Sequence, residues 1–286
     1  MSVAVVTDST HYLPAALLQQ HDIGQVSLYV NRGGASTRES EIGDLDAFYG
    51  ELRDVAQLPT TSQPSVGDFL AVYEPLLAAG HDVVSIHLAG GISGTVESAR
   101  QAAATATADG GRIEVLDSRM ACGAQGLAVL AAVAGGTQGT DAAVAGAQAA
   151  IDALRRRFIF AVDTLEYLRR GGRIGTAQAW LGGALRIKPI LTLDGEITPI
   201  ERVRTSKRSF ERMVQVARDL AEAGSDGWCV QHIQAPDEAA RLAEAAQEVI
   251  GTAPRFVSEV GPVIGSHVGP GLLGIGGVPS SLLPPA

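Results

Sequence analysis

Short apolar runs alternate with alanine-rich periodic segments along the first half of the chain. Three of these runs are rich in β-branched residues and end in polar or glycine residues: Val3 to Thr7, Val83 to Leu88 and Ile113 to Leu116. Each pattern is typical of a buried strand that continues through a loop into a helix. Repeated units of this kind predict a mostly parallel sheet with helices on both faces. The loops after parallel strands meet at one sheet edge, where ligands usually bind.

Between the first two of these units, the sequence predicts two helices separated by a turn. Helical periodicity covers Gly43 to Leu52 and Val66 to Ala79, and the intervening segment Thr60 to Ser65 includes Pro64 and four hydroxyl side chains. Proline stiffens a turn, and serine or threonine favours the start of a helix. We therefore interpret this segment as a turn before the second helix.

Strands and helices alternate less regularly in the second half of the chain. Asp194-Gly195 lies between two apolar runs and is a strong signal for a β-hairpin. Helices are predicted from Asp163 or Thr164, from Ser206 to Ala223 and from Pro236 onwards. The predicted strands are Phe158 to Val162, Ile187 to Leu193, Ile197 to Arg204, Trp228 to Ile233 and Phe256 to Val260. The glycine-rich ending that follows is expected to lack regular structure.

A low-complexity stretch separates the two halves. Residues 131–150 consist largely of Ala, Gly, Thr and Gln, and we place a domain boundary near residue 152. The expected fold class is α/β with two domains. Residues 1–152 would form a mostly parallel sheet with the ligand-binding loops, and residues 153–286 a C-terminal α/β domain of α+β character.

The composition excludes several classes of protein. The 286 residues carry 22 basic and 31 acidic side chains, and the net charge of −9 argues against generic binding to nucleic acid or anionic membranes. Cys122 and Cys229 form neither a disulfide framework nor a zinc pattern, and the histidines lack metal-ligand spacing. No signal peptide is visible, and the longest aliphatic run is far below the roughly 20 residues of a membrane helix. We expect a cytoplasmic protein without a metal and without stable membrane insertion.

Hydroxyl and glycine residues are concentrated in three turns that lie far apart in sequence: Thr60 to Ser65, Gly91 to Thr95 and Gly265 to Gly271. Ser93 follows a predicted strand and precedes a predicted helix, where free backbone N–H groups favour a bound anion. His267 lies among glycines that allow a ligand to approach the backbone. These neutral donors suit holding a small oxyanion better than breaking bonds. Asp8 and Asp117 precede serines at strand ends and are expected to accept backbone N–H bonds within loops.

Other interpretations of the same residues stay open. Ser93 or Thr95 is a candidate N-cap of the helix that follows, and the segment Thr60 to Ser65 is a candidate cap for the helix at Val66. A second functional hypothesis is an enzyme that acts on a small hydroxylated or phosphorylated metabolite, with Ser93 as nucleophile and His267 as base or covalent anchor.

The segment from Arg169 to Arg212 reverses the charge of the chain. It contains ten basic and four acidic residues, so its balance is +6 within a protein of −9. Such a reversal predicts a docking face for an acidic partner or a contact with phosphate, and a solvated surface is the alternative. Few aromatic side chains accompany the basic ones, which disfavours nucleic acid as the partner.

The order of motifs along nearly the whole chain resembles the DegV family of bacterial fatty-acid-binding proteins. The motifs are V-T-D-S-T at 6–10, T-S-Q-P-S at 61–65, I-S-G-T at 92–95, L-D-S at 116–118, L-E-Y-L-R-R-G-G-R-I at 165–174, K-P-I-L at 188–191 and G-P-V-I-G-S-H-V-G-P-G at 261–271.

The resemblance implies a non-catalytic carrier rather than an enzyme. It would be the subunit of a fatty acid kinase that holds a long-chain fatty acid such as palmitate, with the acyl chain in a tunnel between the domains. The separate kinase would convert the bound carboxylate to an acyl phosphate for phospholipid synthesis. The residues implied to surround the carboxylate are Thr61, Ser62, Ser93, Gly94, Thr95 and His267. Those implied to face the kinase or contact phosphate are Arg170, Arg173, Arg202 and Arg204.

Overall fold

The computed structural model describes residues 2–54, 57–108, 110–155, 157–181 and 187–285. The strands are β1 (Val3–Asp8), β2 (Gly24–Val26), β3 (Tyr29–Arg32), β4 (Ala35–Arg38), β5 (Thr60–Ser62), β6 (Asp82–His87), β7 (Ile113–Asp117), β8 (Ile159–Ala161), β9 (Lys188–Asp194), β10 (Glu196–Val203), β11 (Gly227–His232), β12 (Phe256–Glu259) and β13 (Leu273–Val278). The helices are α1 (Ala15–Gln20), α2 (Leu45–Asp54), α3 (Val66–Ala78), α4 (Thr95–Ala106), α5 (Cys122–Gly136), α6 (Thr140–Leu154), α7 (Glu166–Arg170), α8 (Ser206–Glu222), α9 (Pro236–Ile250) and α10 (Pro262–Val268). Short 3-10 helices cover Ser9–His11, Glu39–Glu41, Gly175–Trp180 and Ser280–Leu282.

The first sheet has four parallel strands in the order β2-β1-β6-β7. Every residue of β6 is buried, as expected for a parallel strand covered on both faces. The predicted strand, loop and helix units are therefore confirmed, and their strand bounds are correct to about one residue. The carboxyl ends of β1, β6 and β7 point to the same edge of this sheet.

A smaller antiparallel sheet, in the order β4-β3-β5, stands beside the first one. Its third strand contains Thr61, which pairs with Val30 of β3. The predicted turn from Thr60 to Ser65 is thus wrong in its first half, because β3 supplies a pairing partner that is remote in sequence. Its second half is correct: the hydroxyl of Ser65 caps α3 by accepting the N–H of Asp68 at 3.1 Å.

The second large sheet is mixed and has the order β10-β9-β8-β13-β11-β12. β11 and β12 are parallel and the other neighbours are antiparallel. The predicted hairpin at Asp194-Gly195 is confirmed as the turn between β9 and β10, with Gly195 at a φ of 80°. The whole therefore belongs to the α/β class, with a parallel sheet first and a mixed sheet second.

The glycine-rich ending is not irregular, contrary to the expectation. It contains α10 and then β13, which lies in the middle of the second sheet between β8 and β11. Gly274 and Gly276 of β13 leave space on one face of the sheet, and the Phe158 ring from the start of β8 packs over Gly276. A neighbouring aromatic ring thus covers the face where glycine has no side chain.

Helices α5 and α6 pack together and touch strands of both large sheets. They include the low-complexity residues 131–150 apart from 137–139, so most of this stretch is helical. Apolar side chains from both halves of the chain join one core around α5. The division at residue 152 stays a prediction. Within the described ranges, no helix is long and apolar enough to cross a bilayer.

Candidate functional site

A deep cavity lies between the two halves of the chain, at the carboxyl ends of β6 and β7. The space in it that no atom occupies is about 940 Å³, and this figure includes solvent at its open side. Apolar side chains form the greater part of its wall: Leu28, Leu88, Ile92, Met120, Ala121, Phe158, Phe160, Leu168, Leu193, Ile197, Val263, Ile264, Val268 and Leu272. An elongated apolar group would therefore lose contact with water along most of its length.

The polar lining of this cavity comes from both halves of the chain. It consists of Thr61, Ser62, Gln63, Ser93, Cys122, Arg173, Gln231 and His267. Arg173 is the one charged residue of this lining, since no described carboxylate contributes to it. The cavity thus combines one positive charge with several hydroxyl, amide and imidazole groups, which is a suitable set for a single anion.

His267 joins the two halves at the polar end of the cavity. Its Nε2 lies 2.7 Å from the hydroxyl oxygen of Thr61, which belongs to β5. Its Nδ1 is buried without a hydrogen-bond partner among the described residues and lies against Gly171. Burial and, to a smaller extent, the nearby charge of Arg173 lower the pKa of His267 to about 4. The imidazole is therefore neutral near pH 7 and can hydrogen-bond without adding charge.

The loop that carries Ser93 is held by hydrogen bonds to its own backbone. Asp8 accepts the N–H of Leu88 at 2.9 Å, and Asp117 accepts the N–H of Gly90 at 3.2 Å. The expected role of these two aspartates is confirmed. At the end of the loop, the Ser93 hydroxyl lies 2.9 Å from that of Thr95 and accepts the Thr95 N–H at 3.3 Å. Ser93 thus bonds into the start of α4 while it also faces the cavity.

Asp8 is also the end of a buried chain of polar groups that sequence reasoning missed. His87 Nδ1 lies 3.1 Å from its carboxylate, His87 Nε2 lies 2.6 Å from Ser85, and Tyr73 donates to Ser85 at 2.7 Å. Burial alone would raise the pKa of Asp8, but hydrogen bonds from His87, Thr10 and Leu88 lower it overall. Each of the four residues is almost completely buried, so this serine, histidine and aspartate set is structural and braces the end of β6.

The β9–β10 hairpin closes over the loops of the first sheet. Arg119, which follows β7, donates from Nε to Asp194 at 2.7 Å, and its carbonyl accepts the N–H of Gly195 at 2.7 Å. A side chain at Gly91 would overlap the carbonyl oxygen of Gly195. These contacts hold the loop that contains Ile92 and Ser93 against the second half of the chain. There, the carbonyl of Ile92 accepts Arg173 Nε at 3.4 Å.

The apolar part of the cavity contains no reactive thiol. Cys122 is buried, and burial together with the charges of Glu39 and other neighbours raises the pKa of its thiol well above the usual range. A thiol without thiolate character is a weak nucleophile and behaves as a small apolar group.

The structure therefore separates the predicted carboxylate-binding residues into two groups. Thr61, Ser62, Ser93 and His267 line the cavity. Gly94 and Thr95 do not line it: a side chain at Gly94 would overlap the amide of Gln63, and Thr95 is completely buried behind Ser93. Gln63 also lines the cavity and was not predicted from the sequence, although it lies within the hydroxyl-rich segment Thr60 to Ser65.

Ser93 and His267, the residues of the enzyme hypothesis, are each hydrogen-bonded to another side chain in this structure. The hydroxyl of Ser93 is paired with Thr95, and the Nε2 of His267 with Thr61. An imidazole with a pKa of about 4 is also a weak base at neutral pH. No group of His, Cys, Asp and Glu suited to a metal ion occurs in the part of the chain that the structure describes.

The predicted partner-facing arginines occupy two places. Arg173 lies at the mouth of the cavity, directly after α7, and donates to the carbonyl of Gly171 at 2.8 Å. Arg170 is the last residue of α7. Arg202 and Arg204 lie on and just after β10, where both are exposed, and Arg202 stacks over the ring of Trp180 at 4.6 Å.

The sequence profile of the DegV family, described as an uncharacterised protein family, matches residues 2–280. The chain belongs to the DegV family. A DegV domain-containing protein of Streptomyces coelicolor is 41% identical over 280 residues, which cover 96% of this chain and 97% of the relative. Protein DegV of Bacillus subtilis is 37% identical over 285 residues, which cover 96% of this chain and 98% of the relative.

A solved DegV structure shows the same fold over the same length. This structure is described as showing the fatty acid binding of a DegV family protein from Thermus thermophilus. The two proteins are 36% identical with a TM-score of 0.86, and the match covers 96% of this chain and 98% of the Thermus thermophilus chain. The coverage of 96% of this chain agrees with a resemblance whose motifs run along nearly the whole sequence.

Proposed function

We propose that this DegV protein binds one long-chain fatty acid, with the carboxylate at the polar end of the cavity and the acyl chain along its apolar wall. The observation that carries this proposal is the lining of the cavity. It has one positive charge, no carboxylate among the described residues, hydroxyl donors from Thr61 and Ser93, and otherwise mainly apolar side chains. A monocarboxylate with a long alkyl chain is the common ligand that combines one anionic end with a long apolar part.

The free energy of binding would come from both parts of the ligand. Each CH₂ group that leaves water contributes about 0.8 kcal/mol, so a chain of many carbons supplies most of the affinity. Hydrogen bonds to a charged carboxylate contribute roughly 1.5–3 kcal/mol each, and they fix which end of the ligand faces the mouth. The carboxylate would lie next to Arg173, an exposed side chain of the cavity lining, and so within reach of another protein.

The comparison with solved structures supports the same ligand class. The Thermus thermophilus protein is described by its fatty acid binding, and a 26% identical protein of Eubacterium ventriosum is described as binding stearic acid. The latter has a TM-score of 0.87 and covers 98% of this chain.

The ligand can be tested directly by native mass spectrometry of the purified protein, followed by denaturation and identification of the extracted lipid. We expect one fatty acid per chain, and palmitate should bind to protein stripped of lipid. Thr61→Val together with Ser93→Ala should weaken palmitate binding by about a hundredfold or more, because two hydroxyl donors are lost. Thr105→Val, on the exposed face of α4, is the matched control. A protein that carries no lipid and takes up no added fatty acid would refute the proposal.

We further propose that a separate kinase acts on the bound carboxylate. A carboxylate oxygen would attack the γ-phosphorus of ATP held by the kinase, the bond to ADP would break, and the product would be an acyl phosphate. Two exposed basic residues on and just after β10 support docking. Arg202 and Arg204 form no ion pair within the described chain, whereas Arg169, Lys207, Arg208 and Arg212 are paired with neighbouring acids.

A charge-reversal comparison tests the docking face. Arg202→Glu with Arg204→Glu should slow acyl-phosphate formation by the kinase while leaving palmitate affinity unchanged. Arg208→Glu removes a basic residue that is already paired with Glu211 and serves as the control. If the control variant slowed the reaction equally, net charge alone would matter, and the proposal that the kinase docks on Arg202 and Arg204 would be refuted.

A further inference from the structure

Glu39 is a buried acid whose position the proposed function does not use. It belongs to the short 3-10 helix after β4, and only 6% of its surface is exposed. Its carboxylate accepts hydrogen bonds from three sides: from the Ser9 hydroxyl, from Tyr12 at 2.8 Å and from the backbone N–H of Val263 at 2.8 Å. The last contact joins residues 224 positions apart in the chain.

Val263 lies in the first turn of α10, and this helix has no cap of its own. The N-cap residue is Gly261, which has no side chain to accept an N–H bond. Pro262 has no N–H, Val263 donates to Glu39, and Ile264 donates to the hydroxyl of Tyr12 at 3.2 Å. Regular helical bonding begins with the N–H of Gly265. The two N–H groups in the first turn of α10, those of Val263 and Ile264, thus both find acceptors in the first half of the chain.

The same helix ends at the head-group site. His267 lies one turn beyond Val263, and Val263, Ile264 and His267 all line the cavity. Tyr49 adds a second clamp, since its hydroxyl donates to the carbonyl of Val260 at 2.6 Å and packs against Gly265. A shift at the start of this short helix would therefore move the imidazole relative to Thr61.

We infer that Glu39 is a positioning residue for the head-group site: its carboxylate anchors the start of α10 and so sets where His267 meets Thr61. This inference rests on the proposed function only for its effect on fatty-acid affinity. The geometric claim, that the state of Glu39 controls the position of His267, can be tested without a ligand.

The surroundings of Glu39 make its charge sensitive to pH. Burial raises the pKa of Glu39 to about 7, although the hydrogen bonds from Ser9, Val263 and Tyr12 favour the ionised form. No described basic side chain forms a salt bridge with it. The titratable groups that interact with it are Asp8, Tyr12, Tyr49 and Cys122. One step further away, His11 interacts with Asp8, and Glu259 interacts with Tyr49. Burial lowers the pKa of His11 to about 4, so this neighbour is uncharged near pH 7.

The decisive experiment follows the ring nitrogens of His267 by NMR in ¹⁵N-histidine protein without ligand, with the signals assigned by their loss in His267→Ala. Since His267 itself titrates near pH 4, a step with a midpoint near pH 7 would report Glu39. We expect this step in the wild-type protein and in Glu41→Ala, an exposed acid of the same 3-10 helix. We expect it to disappear in Glu39→Gln, which keeps the shape of the side chain but cannot ionise. A step that persists in Glu39→Gln, or His267 signals that are the same in the wild-type protein and in Glu39→Gln at every pH, would overturn the inference.

Palmitate binding provides the second readout. Glu39→Ala should weaken it by about tenfold, because a charge-assisted anchor of α10 is lost, and Glu41→Ala should change it by no more than about twofold. If Glu39→Ala fails to fold, Tyr12→Phe removes the bonds to Glu39 and to Ile264 while keeping the ring, and it must weaken binding and move the His267 signals. Wild-type affinity in a folded Glu39→Ala or Tyr12→Phe protein would overturn the inference. A wild-type protein that binds no palmitate would refute the proposed function instead, and the NMR comparison would still decide the role of Glu39.

Discussion

Gly171 provides a sharp test of how His267 is held. Its backbone has a φ of −77° and a ψ of −8°, which alanine adopts without strain. An ideal Cβ at this position would nevertheless lie 3.3 Å from Cε1 of His267 and overlap Nδ1. Gly171→Ala should therefore act almost entirely through the imidazole.

Two opposing effects set the expected magnitude. Forcing extra volume against a packed group costs about 1–3 kcal/mol. Replacing glycine by alanine at a compatible position gains about 0.4–1 kcal/mol by restricting the unfolded chain. Gly171→Ala should thus destabilise the protein by roughly 1–2 kcal/mol, and the same change in a His267→Ala background should be neutral or stabilising. The carbonyl of Tyr167, 3.1 Å from the new Cβ, requires a smaller adjustment in both backgrounds.

Chemical denaturation of the wild-type protein, both single variants and the double variant gives the coupling free energy. Gly50→Ala, in α2 with no atom within 4 Å of the new Cβ, is the control and should add the same increment in both backgrounds. Palmitate affinity should fall in Gly171→Ala, because the displaced ring leaves Thr61. A destabilisation of equal size with and without the imidazole would refute the reasoning, since the cost would then lie in the backbone.

Three further changes have defined outcomes. The pKa of Glu39 is raised from 4.5 to about 7. Because the folded state holds the proton more tightly, the wild-type protein should lose about 3 kcal/mol of stability relative to Glu39→Gln as the pH rises through this window. The same difference in unfolding free energy between the two proteins at both ends of the window would contradict this. Phe158→Ala should cost about 3–5 kcal/mol and enlarge the apolar end of the cavity, so extracted lipids should shift to longer or bulkier chains; an unchanged lipid profile would show that Phe158 does not limit the ligand. Asp194→Asn should cost at most about 1 kcal/mol, because its partners Arg119 and Arg155 are about half exposed, and salt should reduce the difference in denaturation midpoint; a larger, salt-independent loss would indicate a different role.

Local patterns in the sequence were sufficient for three of the four strands of the first sheet and for the hairpin of the second, whereas β2 was not predicted. β1, β6 and β7 are apolar along their length because both faces are covered, and their polar ends carry the loops that reach the cavity. The Asp194-Gly195 signal succeeded because a left-handed residue is required at that turn.

Elements that depend on remote partners could not be predicted in this way. β5 has three residues and no alternation, and it becomes a strand only because β3 pairs with it. β13 was missed because glycine weakens a strand in isolation. Here, the Phe158 ring occupies the space over Gly276, so the missing side chain is compensated by a neighbour.

The candidate site shows the same division. Thr61, Ser93 and His267 were recognisable because hydroxyl and glycine residues are concentrated around them. Glu39 lies in a charged segment that is typical of a solvated turn, and its burial results from contacts with Ser9, Tyr12 and Val263. No local signal distinguishes it from Glu41, which is exposed.

The place of β13 also has a consequence for synthesis on the ribosome. This strand occupies the middle of its sheet, yet it is translated after both of its neighbours, β8 and β11. Until residues 273–278 emerge from the ribosome, the edges of β8 and β11 that will pair with β13 stay unpaired. Unpaired strand edges favour contacts with other chains. The parallel sheet of the first half contains no strand from this late segment. A nascent chain would therefore complete its first sheet early and its second sheet only after translation of the last strand, so the cavity between them is a feature of the finished protein.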